Sequence, residues 1–482
     1  MQIDTNATLR IAHSNNAAAN FDPPNDAGFN GDFQFHTMVY DRLLQVDVKN
    51  AVQPMLATEY KFDAAGTTLT LTLRTGVKFT DGTPFNAAAV VANLQRAQKT
   101  GTVTATALSK LSSIEASGDS TVILKLTKAE PAFIYTLTST AGFMISPAAF
   151  ADSAKLAKTP VGTGPYTLTS ADTALTYDFT RNPGYWDTSQ QFPAKARNQL
   201  ILSEQARLSA LQTNAVDQTS LSAVTADQAK NSGLQVSTVQ SISPLALLLN
   251  DKLAPLDNPD VRRAISIGID RNAVNAGLNG HCQPLQQPFP EGISGHTKDS
   301  INYNVTEAKR LISTAGANGA TIKLLSINLE PHATITDILQ AQLTALGFNV
   351  VQTKIEANLG RRTFSEGGYH AFLIGTTATA PDPTAYLDGF AFGAANPGTK
   401  NYPELLALVN TARVQPLGSA ARDTEFGKVT TYLLDKPVWV PVCAPEHTYV
   451  GSKNLVGLTS MSYTNVQTSG ADPSHLQIKV GS

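Results

Sequence analysis

Cysteine is scarce in this 482-residue chain, which has only Cys282 and Cys443; that excludes a disulfide framework and a cysteine-rich metal site. Charge is scarce as well, at 15% of residues, and nearly balanced: 36 Lys plus Arg against 38 Asp plus Glu, a net charge of −2. The basic surplus needed to neutralise a phosphate backbone is missing, so nucleic acid is excluded as a partner. Long apolar runs are missing too. The longest, Leu245 to Leu249 and Ala87 to Ala92, fall far short of the roughly 20 residues that cross a bilayer. Catalytic signatures are absent: there is no G-x-S-x-G, H-E-x-x-H, C-x-x-C or G-x-x-x-x-G-K-[ST], and Gly162-Thr163-Gly164 lacks the third glycine of a dinucleotide loop. The first residues, Met1 to Asn6, carry neither the charged nor the apolar region of a signal peptide. We read the chain as exported, in its mature form, with its signal segment not part of this sequence.

What is present is apolar material for several cores, 42% of residues. The alternation in Leu69-Thr70-Leu71-Thr72-Leu73-Arg74 predicts a strand with one buried face, and Val122 to Leu126 predicts another. Between them Asn86 is placed to cap a helix over Ala87 to Arg96. The segment to about Pro160 therefore reads as α+β. Beyond it, Tyr166 to Phe179 looks β-rich and Ser203 to Asn214 helical. Asn258-Pro259-Asp260 is a strong helix start, with N-cap, first-turn proline and first-turn carboxylate, and the helix is expected to run to about Gly277. From Thr321 the pattern is most regular: strand Ile322 to Ile327, helix Thr334 to Leu346 closed by Gly347, strand Phe348 to Ile355, a short helix, then strand Tyr369 to Ile374. Strands alternating with helices predict right-handed crossovers and a mainly parallel sheet.

Several segments converge on one family. Val39-Tyr40-Asp41-Arg42-Leu43-Leu44, Gln53-Pro54-Met55-Leu56-Ala57 and Leu73 to Ala87 are followed by Pro160-Val161-Gly162-Thr163-Gly164-Pro165-Tyr166 and Arg181-Asn182-Pro183-Gly184-Tyr185-Trp186. Leu249-Asn250, Val261-Arg262-Arg263-Ala264-Ile265 and Ile269-Asp270-Arg271 complete the series. In content and order these resemble the blocks of family 5 solute-binding proteins, the substrate-binding subunits of ABC importers for peptides, nickel and other solutes. The resemblance implies an α/β, two-lobed periplasmic-binding-protein-like fold of type II, in its large three-domain variant, with a hinge and an interlobe cleft. It divides the chain into domain I (1–36, 161–250 and 446–482), domain II (37–160) and domain III (251–445). It also implies a monomeric, non-enzymatic binding protein without a cofactor, held outside the cytoplasm as a periplasmic protein or lipoprotein. Its partners would be a small-molecule ligand and the transmembrane permease. A sensor or chaperone-like protein of the same fold, without a transporter, is the alternative.

The resemblance also nominates residues. Phe29 and Asn30 fall in a segment that lines the cleft in the family, and Thr219 lies in a crossing segment. In peptide-binding relatives the loop after the last strand carries an aspartate that pairs with the peptide ammonium. Here the loop reads Gly375-Thr376-Thr377-Ala378-Thr379-Ala380-Pro381-Asp382-Pro383, with Thr379 in that place. Thr376, Thr377 and Thr379 offer hydroxyls without charge, which favours an uncharged or hydroxyl-rich ligand, while Asp382 is a substitute anchor or a structural turn. Tyr386, Trp439 and Tyr463 are candidates for stacking on a sugar or aromatic ring. Arg361-Arg362 could grip a carboxylate, although a solvated helix end is the favoured reading. The eight histidines show no ligand spacing, with His370 placed nearest the expected cleft, and the acidic loop from Asp22 to Asp32 does not match a calcium loop. No metal site is expected. Cys282 and Cys443 are read equally as a bridge or as two buried thiols.

Overall fold

In a computed structural model of the chain, residues 2–14, 19–25, 32–100, 103–172, 175–375, 380–461 and 472–480 are described. Two compact units emerge, Met1–Val239 with His447–Ser482, and Gln240–Glu446. Among the described residues no helix is long and apolar enough to cross a membrane.

The first unit holds strands β1 (Thr8–His13), β2 (Ala57–Phe62), β3 (Thr68–Leu73), β4 (Leu111–Ala116), β5 (Thr121–Leu126), β6 (Tyr166–Asp172), β7 (Thr176–Arg181), β8 (Lys195–Leu200) and β9 (Gln218–Leu221). Strands β2, β3, β5 and β4 pair in that order as an antiparallel sheet. Leu69, Leu71 and Leu73 fall on its buried face, as their alternation predicts. Helix α1 (Ala87–Ala97) packs beside it, and its N-cap forms as expected, with the Asn86 side chain accepting from the Ala89 N–H at 3.0 Å. In the other sheet β1 lies between β9 and β8 and is parallel to both, while β7 and β6 extend it antiparallel. Helix α2 (Glu204–Gln212), capped by Ser203, carries the chain from β8 to β9. An aromatic cluster including Phe21, Phe33, Phe35, Phe143, Tyr166, Tyr177 and Phe179 fills the core.

The second unit is built on β10 (Leu245–Leu249), β11 (Thr321–Ile327), β12 (Asn349–Ile355), β13 (Ala371–Gly375) and the first part of β14 (Trp439–Gly451). The order is β12-β11-β13-β10-β14. The expected parallel trio is there, since β11 pairs parallel with β12 and with β13. The sheet as a whole is mixed, because β10 runs antiparallel to both β13 and β14. All five residues of β10 are buried: Leu245, Leu247 and Leu249 enter one core, Ala246 and Leu248 the other. A sheet covered on both faces needs such a continuous apolar strand.

One expected helix is corrected. The segment after Asn258 forms two helices, α3 (Pro259–Gly268) and α4 (Arg271–Gly277). Asp270 starts a new cap between them, accepting from the Asn272 and Ala273 N–H groups at 3.0 Å. The buried Arg271 guanidinium then donates to the carbonyls of Ser266, Ile269 and Pro441, fixing the break. Helix α5 (His332–Ala345) joins β11 to β12. It ends as read, with Gly347 at φ +111°, a backbone that favours glycine. Helices α6 (Gly360–Ser365) and α7 (Ala420–Asp435) complete the elements used below. Cys282 and Cys443, both buried in the second unit, are joined by a disulfide.

Candidate functional site

Open α/β sheets receive ligands outside the carboxyl ends of their strands, at the point where the chain reverses its direction of strand addition. Each unit has one such point. In the second unit the chain runs from β11 to β12 on one side, then crosses to β13 on the other, so the reversal falls at the carboxyl ends of β11 and β13. In the first unit β8 lies on one side of β1 and β9 on the other, which puts the reversal at His13, Leu200 and Leu221.

At the edge of the first unit, helix α2 supplies Arg207. Its guanidinium donates to the carbonyls of Ile201 and Leu202 at 2.8 Å and of Ser220 at 3.2 Å, tying the end of β8 to β9. Thr219 is fully buried, its hydroxyl donating to the Ala12 carbonyl at 2.9 Å. Leu202, the first residue of the crossover to stand clear, is 61% exposed. His13 sits edge-on to Phe35 with ring centroids 5.0 Å apart. On β8, Asn198 is fully buried, and neither atom of its amide has a hydrogen-bond partner. An amide buried without partners costs about 1–3 kcal/mol.

The edge of the second unit has a different chemistry. Leu329, on the loop leaving β11, is 58% exposed, and Leu359, on the loop leaving β12, is 47% exposed. Helix α6 starts immediately after Leu359 and lies flat on the strand ends because its first residue is Gly360. A Cβ there would sit 2.8 Å from Phe372 Cζ and 3.4 Å from Ile327 Cγ1. That close approach delivers the half-buried Arg361, whose Nη2 donates to the Gly375 carbonyl at 2.8 Å at the last residue of β13. Burial pushes the Arg361 pKa down, and no acidic neighbour raises it. Arg362 points the other way, is exposed, and faces Glu366 at 3.6 Å.

Of the residues nominated from sequence, Phe29, Asn30, Thr376, Thr377, Thr379 and Tyr463 lie outside the described residues. Asp382 is buried and fully engaged: Oδ1 accepts from the Thr384 N–H and hydroxyl, and Oδ2 from Arg422 Nη2 at 2.7 Å and Nε at 3.2 Å. Tyr386 is likewise buried, with its hydroxyl donating to the Ile242 carbonyl at 2.6 Å. Thr219, Asp382 and Tyr386 thus hold strand ends and loops in place through internal bonds. His370 stands at the amino end of β13, its ring against Lys323 N–H and the Ala254 carbonyl, on the edge opposite the reversal point. Among the described residues no group of three or more His, Cys, Asp or Glu side chains is placed to hold a metal ion. Sequence reasoning missed Asn198, although an Asn in the buried phase of Lys195–Leu200 is a readable signal. It also misjudged Arg361, whose burial follows from the packing of Gly360.

Residues 51–398 match the sequence model of the bacterial extracellular solute-binding proteins, family 5. The chain is 29% identical over 471 residues to the glutathione-binding protein GsiB of Escherichia coli strain K12, covering 90% of this chain and 88% of that protein. Its fold matches that of the PBP AgaA of A. tumefaciens R10, solved with agropinic acid, at TM-score 0.81 and 23% identity, over 99% of both chains. It also matches the dipeptide-binding protein of Pseudoalteromonas sp. SM9913, solved with Met-Leu, at TM-score 0.82 and 21% identity, over 98% of this chain and 100% of that one.

Proposed function

The chain belongs to the bacterial extracellular solute-binding proteins of family 5, and from that premise we propose that it captures a small, peptide-like or similarly polar organic solute and delivers it to the permease of an ABC importer. The family match across residues 51–398 carries this reading. Support comes from the two reversal points, each with strand carboxyl ends and an exposed leucine, and from Arg361 of the second unit, which has donors beyond its one protein partner. The relatives bind glutathione and dipeptides by name, so acids of two or three residues are the first ligands to try. The proposal includes closure of the two lobes on the solute, the threonines of residues 376–379 as uncharged contacts, and Phe29, Asn30 and Tyr463 as further contacts. It also includes the three-domain division, a monomeric state, and export behind a removed signal or a lipid anchor. A chain joined by a Cys282–Cys443 bridge suits an oxidising location outside the cytoplasm.

The test is a thermal-shift screen against glutathione, di- to tetrapeptides, sugar acids, oligosaccharides and nickel chelates. A ligand at 100 times its Kd stabilises by about 2.7 kcal/mol. Stabilisation by one chemical class at micromolar concentrations is expected. No shift with any class, or turnover of a compound in the mixture, would overturn the proposal.

A further inference from the structure

Two arginines occupy corresponding places in the two units, each on the helix that carries the chain across the reversal point. Arg207 donates to three backbone carbonyls, and these bonds stand in for the water it has lost. Arg361 makes one such bond, to the Gly375 carbonyl, and has no carboxylate partner among the described residues. A guanidinium carries five N–H donors. Arg361 therefore brings a charge and four unspent donors to the carboxyl edge of its sheet.

Such an arrangement is costly by itself, because a cation drawn out of water is stable only when paired and hydrogen-bonded. Asp382 is neutralised by Arg422 inside the fold, so its carboxylate is not available to Arg361. The loops flanking Arg361 expose Leu329 and Leu359, and of the two acids they also expose, Glu330 and Glu356, neither pairs with Arg361. His332, three residues after Leu329, has a buried Nδ1 without a hydrogen-bond partner among the described residues, and burial pushes that imidazole down to about 4, so it adds no second positive charge near neutrality.

We infer that Arg361 is the anion anchor of the second unit, receiving a carboxylate of the solute in a forked pair while Leu329 and Leu359 cover the apolar part next to it. The inference rests on the solute-binding reading and deepens it by naming the ligand class: an organic acid with an apolar or amphipathic body. Planar guanidinium and planar carboxylate match in two parallel hydrogen bonds, a geometry that lysine cannot reproduce. In the free protein Arg361 contributes little to stability, unlike Arg207. In the complex it discriminates acids from their amides by about 10- to 100-fold, the range for charge-assisted hydrogen bonds in a partly dry site.

The experiment is calorimetric titration of the intact chain with matched pairs: N-acetylleucine and its amide, Leu-Leu and its amide, succinate and succinamide. The native protein is expected to bind the acid of a pair at least tenfold more tightly. Arg361→Gln brings acid and amide within about twofold, Arg361→Lys keeps part of the preference, and Arg362→Gln changes nothing. The unliganded Tm of Arg361→Gln stays at or rises above the native value, whereas that of Arg207→Gln falls, which separates an anchor from a structural arginine. Equal binding of acid and amide by the native protein, or a preference that survives Arg361→Gln, overturns the anchor and leaves solute binding standing. If no acid, amide or compound of the wider screen binds, both conclusions fall.

Discussion

The bond between Arg422 and Asp382 offers the sharpest energetic test of how residues 380–386 of the second unit are held. Both side chains are buried, and every guanidinium nitrogen is bonded: Nε and Nη2 donate to Asp382 Oδ2, and Nη1 to the carbonyls of Ala412, Arg413 and Gln415. Asp382 in turn caps the short helix Pro383–Tyr386 through Thr384. Arg422→Met keeps most of the volume but leaves a buried carboxylate with only the Thr384 donors and three carbonyls without theirs. Removing one partner of a buried pair costs about 3–5 kcal/mol. In a unit of this size that corresponds to a fall in Tm of roughly 6–20 °C. Adding Asp382→Asn removes the stranded charge and should recover about 1–3 kcal/mol. Urea unfolding followed by fluorescence reports this locally, since Trp439 lies in the second unit and Trp186 in the first. A loss below about 1 kcal/mol, or a double variant no better than the single, would refute the argument that the pair neutralises Asp382.

Other expectations follow from buried groups elsewhere. Replacing Cys282 and Cys443 by alanine should destabilise the second unit by about 2–5 kcal/mol, because their bridge closes a loop of 161 residues; reduction should add two mass units to the intact chain, and an unchanged mass would deny the bridge. Acid stability turns on two opposed groups in the first unit. Burial pushes His36 down to about 4, so its contribution is complete above pH 6.5 and is lost as the pH falls towards 4, about 2 kcal/mol of it between pH 7 and 5. Burial pushes Asp41 up to about 7 against the donors Trp186, Thr163 and Tyr185, so its stabilisation is fullest below pH 4 and is lost as the pH rises through 7; acidification from pH 7 to 5 restores about 2 kcal/mol. The two nearly cancel, and urea midpoints of Asp41→Asn should therefore fall more steeply than native between pH 7 and 5; parallel profiles would contradict the assignment. Gly360→Ala drives a methyl group to 2.8 Å from Phe372 Cζ and should cost about 1–3 kcal/mol in urea unfolding, with weaker acid binding because Arg361 moves with it.

Local features of the fold were legible because local chemistry decides them. Alternation placed β3 and β5, and the side chains of Asn86 and Asn258 form the helix caps that their positions announce. The break at Asp270 was hidden because a cap side chain also reads as an ordinary polar helix residue until Arg271 finds the Pro441 carbonyl on β14. Strand β1 was not read at all, and its pairing with β8 brings together residues 187 positions apart, Thr8 with Lys195; no local pattern encodes that. The same holds for the site. The motif order indicates the family, but whether Asp382 faces a ligand or Arg422 depends on a helix forty residues away. Arg361 likewise looks like a solvated helix end until Gly360 is seen against Phe372 and Ile327.

The central claim is that the chain holds a small solute and returns it unchanged. Native mass spectrometry of the purified protein with the best compound of the screen, followed by denaturation and chromatography of what is released, tests it most directly. The account predicts one solute per chain, recovered at its original mass. Recovery of a chemically altered product, or no bound species at saturating concentration, would contradict it.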